Sequence, residues 1–181
     1  MKSETQPVAY PAQWERTATT RDGVSFRVRP IRPDDESLEH QFIVRLSPES
    51  RYKRMMYAMK EPSPELLHRF VHVDYKRDMA FVALIGEAPD EEIIGVARYA
   101  QDITGPNCEF AVGVADAWQA RGVGATLTHL LFEYAHTQGI GRIYGDILVD
   151  NSQMIDLVHW LGMKTRICPE DSHLIEASRA P

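Results

Sequence analysis

A chain of 181 residues, 44% hydrophobic and 25% charged, has the composition of one soluble globular domain with a sizeable core and is short for two. A net charge of −6 excludes a general nucleic-acid binder, and no apolar run is long enough to span a bilayer. The start lacks the basic-then-apolar form of a signal peptide, and Cys108 and Cys168 without CxxC spacing give no disulfide framework, so a cytoplasmic location is expected.

Residues 1–20 have little apolar periodicity and contain Pro7 and Pro11, so they are expected to form an extended N-terminal arm. Residues 21–181 then make a single domain. Arg21-Asp22-Gly23 reads as a turn, and residues 24–29 alternate as a first strand. Pro30 and Pro33 end it; Asp34, Asp35 and Glu36 suit a helix start, with Leu38, Phe42, Ile43 and Leu46 as the buried stripe. Ser47-Pro48-Glu49-Ser50 opens a second helix through a capping Ser and a Pro at the first helical position. There Arg51, Lys53 and Arg54 read as a solvated face and Met55 and Met56 as core filling; the alternative makes this segment a wall of a substrate cleft. Ser63-Pro64-Glu65 repeats the start signal. His68 and His72 on that third helix have a spacing that can grip a metal, but no third ligand is suitably spaced and HExxH is absent, so no metal is expected.

Residues 79–85 and 93–99 predict a hairpin across an acidic turn, and Gly105-Pro106 turns the chain into the stretch 108–125. There Cys108, Phe110, Val112 and Val114 point to one face of a strand. Glu109 shares the other face with Ala111 and Gly113, which leaves open space in front of a carboxylate. Gln119 to Ala125 then leads into a helix. Gly122 and Gly124 at its mouth allow close approach to the backbone, whose free N–H groups can hold an anion such as pyrophosphate. Val123, Leu127, Leu130, Leu131 and Tyr134 give that helix its buried rhythm, and Gly139 closes it. A strand over 142–149 follows. Asp150 to Gln153 resembles a capping box before a last helix with Met154, Leu157, Val158 and Leu161 inward, and short strands are expected over 163–167 and 172–177. This order predicts an α/β sheet covered by helices rather than an all-parallel fold.

Gln119-x-x-Gly122-x-Gly124, after a strand and opening a helix, resembles the acyl-CoA-binding signature of the GCN5-related N-acetyltransferase (GNAT) family. Asn151 through Leu161-Gly162-Met163 is similar to that family's second signature. Further phrases resemble the acetyltransferase domain of bacterial Pat-type protein lysine acetyltransferases: Arg29-Pro30-Ile31-Arg32-Pro33-Asp34-Asp35, Leu46-Ser47-Pro48-Glu49-Ser50-Arg51-Tyr52, and Asp74 to Ala80. They recur in matching order over roughly residues 10–165.

The resemblance implies an α/β (α+β) fold with a mixed, mostly antiparallel central sheet flanked by helices. It implies direct acetyl transfer from acetyl-CoA to an amine, foremost a protein lysine, with CoA as product and no metal. The backbone of Val112, Gly113 and Val114 would pair with the pantetheine arm. Amides of Gln119, Ala120, Arg121, Gly122, Val123, Gly124 and Ala125 would hold the pyrophosphate, Arg121 would add charge at the adenine-nucleotide end, and Asn151 would lie near the cofactor arm. Glu109, in the phrase Glu-Phe-Ala, would be the general base. That role is chemically sound, because a lysine ammonium must lose a proton before attacking a thioester and a partly desolvated carboxylate suits the task.

One departure is plain: Val158 stands where many members carry a Tyr acid, so the acid is unassigned. Cys108 as an acyl-carrying nucleophile is a rival, but it lies on the strand face opposite Glu109 and the sequence offers it no His/Asp arrangement. The expected partner is a protein carrying an acceptor lysine, such as an AMP-forming acyl-CoA synthetase, with no nucleic acid or membrane; monomer and dimer both stay open. A small-molecule amine acceptor and a non-catalytic acyl-CoA sensor are the alternatives. The acidic excess of residues 61–181 would favour a cationic acceptor, and ordinary solubilising charge accounts for it equally.

Overall fold

A computed structural model describes residues 8–181. Eight strands form one sheet in the order β1-β2-β3-β4-β5-β6-β8-β7. They are β1 (Arg16–Thr19), β2 (Ser25–Pro30), β3 (Asp78–Ile85), β4 (Glu92–Gln101), β5 (Asn107–Val114), β6 (Arg142–Leu148), β7 (Lys164–Cys168) and β8 (Asp171–Arg179). Every neighbouring pair is antiparallel except β5 and β6, which run parallel. The mixed, mostly antiparallel sheet flanked by helices expected from the sequence is what the chain forms.

Helices α1 (Glu36–Arg45), α2 (Pro48–Met55) and α3 (Pro64–Val71) precede β3, α4 (Val123–Thr137) links β5 to β6, and α5 (Ser152–Trp160) links β6 to β7. The pleat decides what each face buries. From β3, Met79, Phe81 and Ala83 join Leu127, Leu131 and Tyr134 of α4, whereas Ala80, Val82 and Leu84 join Phe42 and Ile43 of α1 and Leu67 of α3. That explains why β3 reads as a continuous apolar run: it is covered on both sides.

Of the arm expected over 1–20, residues 1–7 lie outside the described residues. The rest is not a free arm. Ala12–Trp14 forms a 3-10 turn, and β1 pairs with β2 from Arg16 opposite Val28 to Thr19 opposite Ser25. Trp14 packs edge-on against Tyr134 with centroids 5.1 Å apart and lies 6.3 Å from Phe81, and Tyr10 meets Tyr75 at 5.8 Å, so aromatic contacts anchor a segment that shows no periodicity of its own.

Local capping sets the helix starts. Ser47 and Ser63 accept from the Ser50 and Leu66 amides at 3.1 and 3.2 Å, each followed by Pro at the first helical position. Between β2 and α1, Arg29 donates two bonds of 2.7 Å to Asp35, whose Oδ2 also accepts from the Arg32 amide at 2.7 Å. This buried fork fixes the turn that carries α1 onto the sheet.

Candidate functional site

The parallel junction creates the site. β5 and β6 pair only over Asn107–Arg142, Cys108–Ile143 and Glu109–Tyr144, although β5 continues to Val114 and β6 to Leu148. Beyond Glu109 the two strands part. An edge of β5 backbone is left without a strand partner, facing a cleft of about 970 Å³. An extended ligand can add to such an edge as a further strand would.

The cleft runs from Glu109 past the β5 edge to the mouth of α4. Of the residues the sequence singled out, Glu109, Val112, Gly113, Val114, Gln119, Ala120, Gly122, Gly124, Ala125 and Asn151 line it together. Gly122 has φ of +93°, a conformation open to Gly at little cost, and Gly124 has only Val114, Leu157 and Val112 side chains near the place a Cβ would take. The N-terminal amides of α4 are thus approachable and suited to an anion. Asn151 accepts from the Met154 amide at 3.3 Å and caps α5 on the opposite wall.

Two singled-out residues do not line the cleft. Val123 is buried in the core, and Arg121 turns its side chain away to pair with both Asp22 oxygens, at 3.0 and 2.7 Å, and to cover Trp118 at 4.2 Å. Gln119 acts as a tie: its amide nitrogen donates to the Val114 carbonyl at 3.0 Å and to Ser50 Oγ at 3.1 Å. Asp116 extends the tie, accepting from the Ser47 amide, the Ser47 hydroxyl and the Ser50 hydroxyl at 2.7–2.9 Å. The start of α2 is therefore bound to the loop between β5 and α4.

That connection changes the reading of α2. Its basic residues are not a uniform solvated face. Arg51 donates to five backbone carbonyls, those of Ile43, Val44, Leu46, Met59 and Lys60, and so closes the end of α1. Arg54, Met55 and Met56 line the cleft, as the alternative reading of this segment held. No pattern within 51–56 distinguishes these roles, because the carbonyls and the cleft come from distant segments.

Around Glu109 the electrostatics are uneven. Burial raises its pKa above the ordinary carboxylate value, the Asp146 and Asp102 charges raise it further, and Arg54 opposes them. Tyr144 donates to Asp102 at 2.7 Å, and that bond is the first cause that pushes its own pKa up to about 12. Beneath the cleft, Arg98 donates to buried Glu39 at 3.0 Å and covers Phe70 at 4.0 Å. Cys108 is fully buried and its thiol is pushed up to about 12 by burial, which keeps it protonated and unreactive. His68 and His72 stack at 3.8 Å, and among the described residues no group of three or more His, Cys, Asp or Glu could hold a metal.

A carboxylate at one end, free amides at the other and an unpaired strand edge between them suit an acyl carrier with an anionic tail. A family model described as an acetyltransferase (GNAT) domain matches residues 25–164. An acetyltransferase of Pseudomonas aeruginosa is 38% identical over 151 residues, covering 83% of this chain and 81% of that protein. Acetyltransferase Pat of Mycolicibacterium smegmatis is 31% identical over 145 residues, and the match spans 78% of this chain but 42% of that longer protein. The crystal structure of the GNAT domain of S. lividans PAT superposes with a TM-score of 0.87 at 30% identity, covering 95% of this chain and 99% of that one.

Proposed function

The chain belongs to the GNAT acetyltransferase family, and from that premise we propose that it moves acetyl from acetyl-CoA directly to a protein lysine, with Glu109 as general base. The observation that carries this reading is the single cleft that joins Glu109 to the unpaired β5 edge and the mouth of α4. The residues fit the donor: Val112 to Val114 offer a strand edge for the pantetheine arm, and the amides from Gln119 to Ala125 lie at a helix N-terminus that Gly122 and Gly124 leave uncovered. When bound, the donor supplies an activated thioester.

The protein's own task is then to deprotonate and orient the amine. Glu109 opens onto the cleft with part of its carboxyl shielded and its pKa raised, a carboxylate suited to taking the proton of an incoming ammonium. Amides along β5 are placed to polarise a carbonyl lying on that edge. Val158 is buried and has no proton to give, so this helix supplies no acid; a thiol with the pKa of Cys, roughly 8.5, would leave as a thiolate that solvent could protonate. The lysine acceptor rests on the likeness to Pat-type proteins and on the carboxylates Asp102 and Asp146 beside Glu109, whose field draws a cation.

The test is CoA release from acetyl-CoA with two acceptor pools. One is an AMP-forming acyl-CoA synthetase, the other a mixture of polyamines, amino acids and aminoglycosides. Release with the protein pool and a one-acetyl mass gain on lysine is expected. Release with small amines alone overturns the acceptor and keeps the transfer chemistry.

A further inference from the structure

Resting on acetyl-CoA as the donor, we propose that Arg21 is a donor-binding residue, whose guanidinium grips the pyrophosphate at the mouth of α4. The family resemblance implies Arg121, inside the glycine signature, for the charge at that end. The fold takes it away: Arg121 donates to both oxygens of Asp22 and lies over Trp118, outside the cleft. Asp22 belongs to the turn between β1 and β2, and the residue before it, Arg21, lines the cleft. The turn that draws one arginine off brings another in.

Backbone bonds set its place. The turn is closed on itself: the Thr20 amide donates to the Val24 carbonyl at 2.8 Å, the Gly23 amide to the Thr20 carbonyl at 3.0 Å, and the Val24 amide to Thr20 Oγ1 at 2.9 Å. Thr20 is buried, and Gly23 supplies the left-handed position with φ of +92°. At the tip, the Arg21 amide donates to the Arg121 carbonyl at 2.9 Å, which binds the turn to the loop that leads into α4. That bond needs nothing from the Arg121 side chain. The Arg21 side chain then runs past Gly122, the residue that opens α4. A Cβ on Gly122 would meet Arg21 Cγ at 3.6 Å and Nε at 3.9 Å, ordinary contact distances. The guanidinium thus begins beside the first turn of the helix.

The charges of the cleft leave this end to Arg21. Its two other basic side chains lie elsewhere: Lys53 pairs with Glu49, and Arg54 packs its stem where a Cβ on Gly113 would come, with its guanidinium carbon 5.9 Å from the Phe70 ring centroid. The first turn of α4 carries no acidic side chain, and the Arg21 guanidinium makes no hydrogen bond or ion pair with any described residue. Helix amides meet an anion from one side only. A pyrophosphate carries charge on both phosphates, and the planar fork of an arginine matches two phosphate oxygens at once. Arg21 is placed to supply that fork from the flank that α4 does not cover.

The experiment is calorimetric titration of CoA, dephospho-CoA and acetyl-pantetheine into the parent, Arg21→Gln and Arg21→Lys, with the melting of each variant alongside. Dephospho-CoA lacks the 3′-phosphate and keeps the pyrophosphate; acetyl-pantetheine lacks both. Arg21→Gln is expected to weaken CoA and dephospho-CoA alike by about tenfold, with acetyl-pantetheine affinity and melting unchanged and most of the loss recovered in Arg21→Lys. Equal CoA affinity in Arg21→Gln and the parent overturns the proposal and leaves the donor reading standing. A loss for CoA but not for dephospho-CoA also overturns it, by moving Arg21 to the 3′-phosphate. A loss that includes acetyl-pantetheine overturns it by making the residue structural. A parent that binds no CoA overturns the donor reading and this proposal together.

Discussion

The two ends of the cleft are built in opposite ways. The α4 end comes from one continuous stretch, residues 119–125, and presents backbone with no side chains at Gly122 and Gly124. The Glu109 end is assembled from side chains far apart in sequence: Asp102 after β4, Glu109 on β5 and Tyr144 and Asp146 on β6. A site made of backbone depends on local conformation, whereas one made of charges depends on the whole fold. Changes at the first end should therefore alter donor binding, and changes at the second should alter the chemical step.

The largest expected effect is at the charged end. Glu109→Gln removes the proposed base and should lower kcat about 100-fold to 10,000-fold. The pH dependence tests the same end without a mutation. Glu109 acts as a base only when ionised, and its pKa is raised, so kcat/KM should climb with pH through a midpoint above the ordinary carboxylate value. A profile that climbs at the ordinary value would mean that Asp102, Asp146 and burial do not act on Glu109 as the geometry implies.

At the backbone end, Gly124→Val places a branched side chain where a Cβ already lies 3.3 Å from Val114 Cγ2. It should raise KM for acetyl-CoA about tenfold with little change in kcat, corresponding to roughly 1.4 kcal/mol of lost binding. Equal falls in kcat and kcat/KM would blur the division between the ends. Gln119→Ala cuts the tie between them. Losing its bonds to Val114 and Ser50 should cost about 1–2 kcal/mol in denaturant unfolding and raise KM for the acceptor, because α2 is released. The smallest effect belongs to Arg121→Ala. The guanidinium is already engaged with Asp22 and Trp118, so donor KM and melting should barely move. A clear rise in donor KM would show that Arg121 leaves Asp22 to meet the nucleotide.

The same contrast explains what the sequence made legible. Gly122 and Gly124, the Ser47 and Ser63 caps, and the alternation from Cys108 to Val114 are local patterns, and each forms what its pattern predicts. Glu109 was visible because Ala111 and Gly113 are the small residues on its face, although the space expected at Gly113 is filled by Arg54. Arg54 was not, since a basic residue in a helix reads the same whether it meets solvent or a cleft; the one hint was the glycine at 113 that it covers. Trp14 and β1 were hidden for a similar reason: four strand residues and scattered aromatic anchors carry no periodicity, and only β2 and the rings they meet give them a place. The parting of β5 and β6 beyond Glu109 has no sequence signature at all, because it follows from which strand lies next to which.

The most direct test of two separable ends is a calorimetric titration of acetyl-CoA into Glu109→Gln, set beside its turnover with the best acceptor. The account predicts a Kd for acetyl-CoA close to that of the parent and turnover reduced by at least about 100-fold. Turnover equal to the parent, or affinity lost in step with the rate, would contradict it.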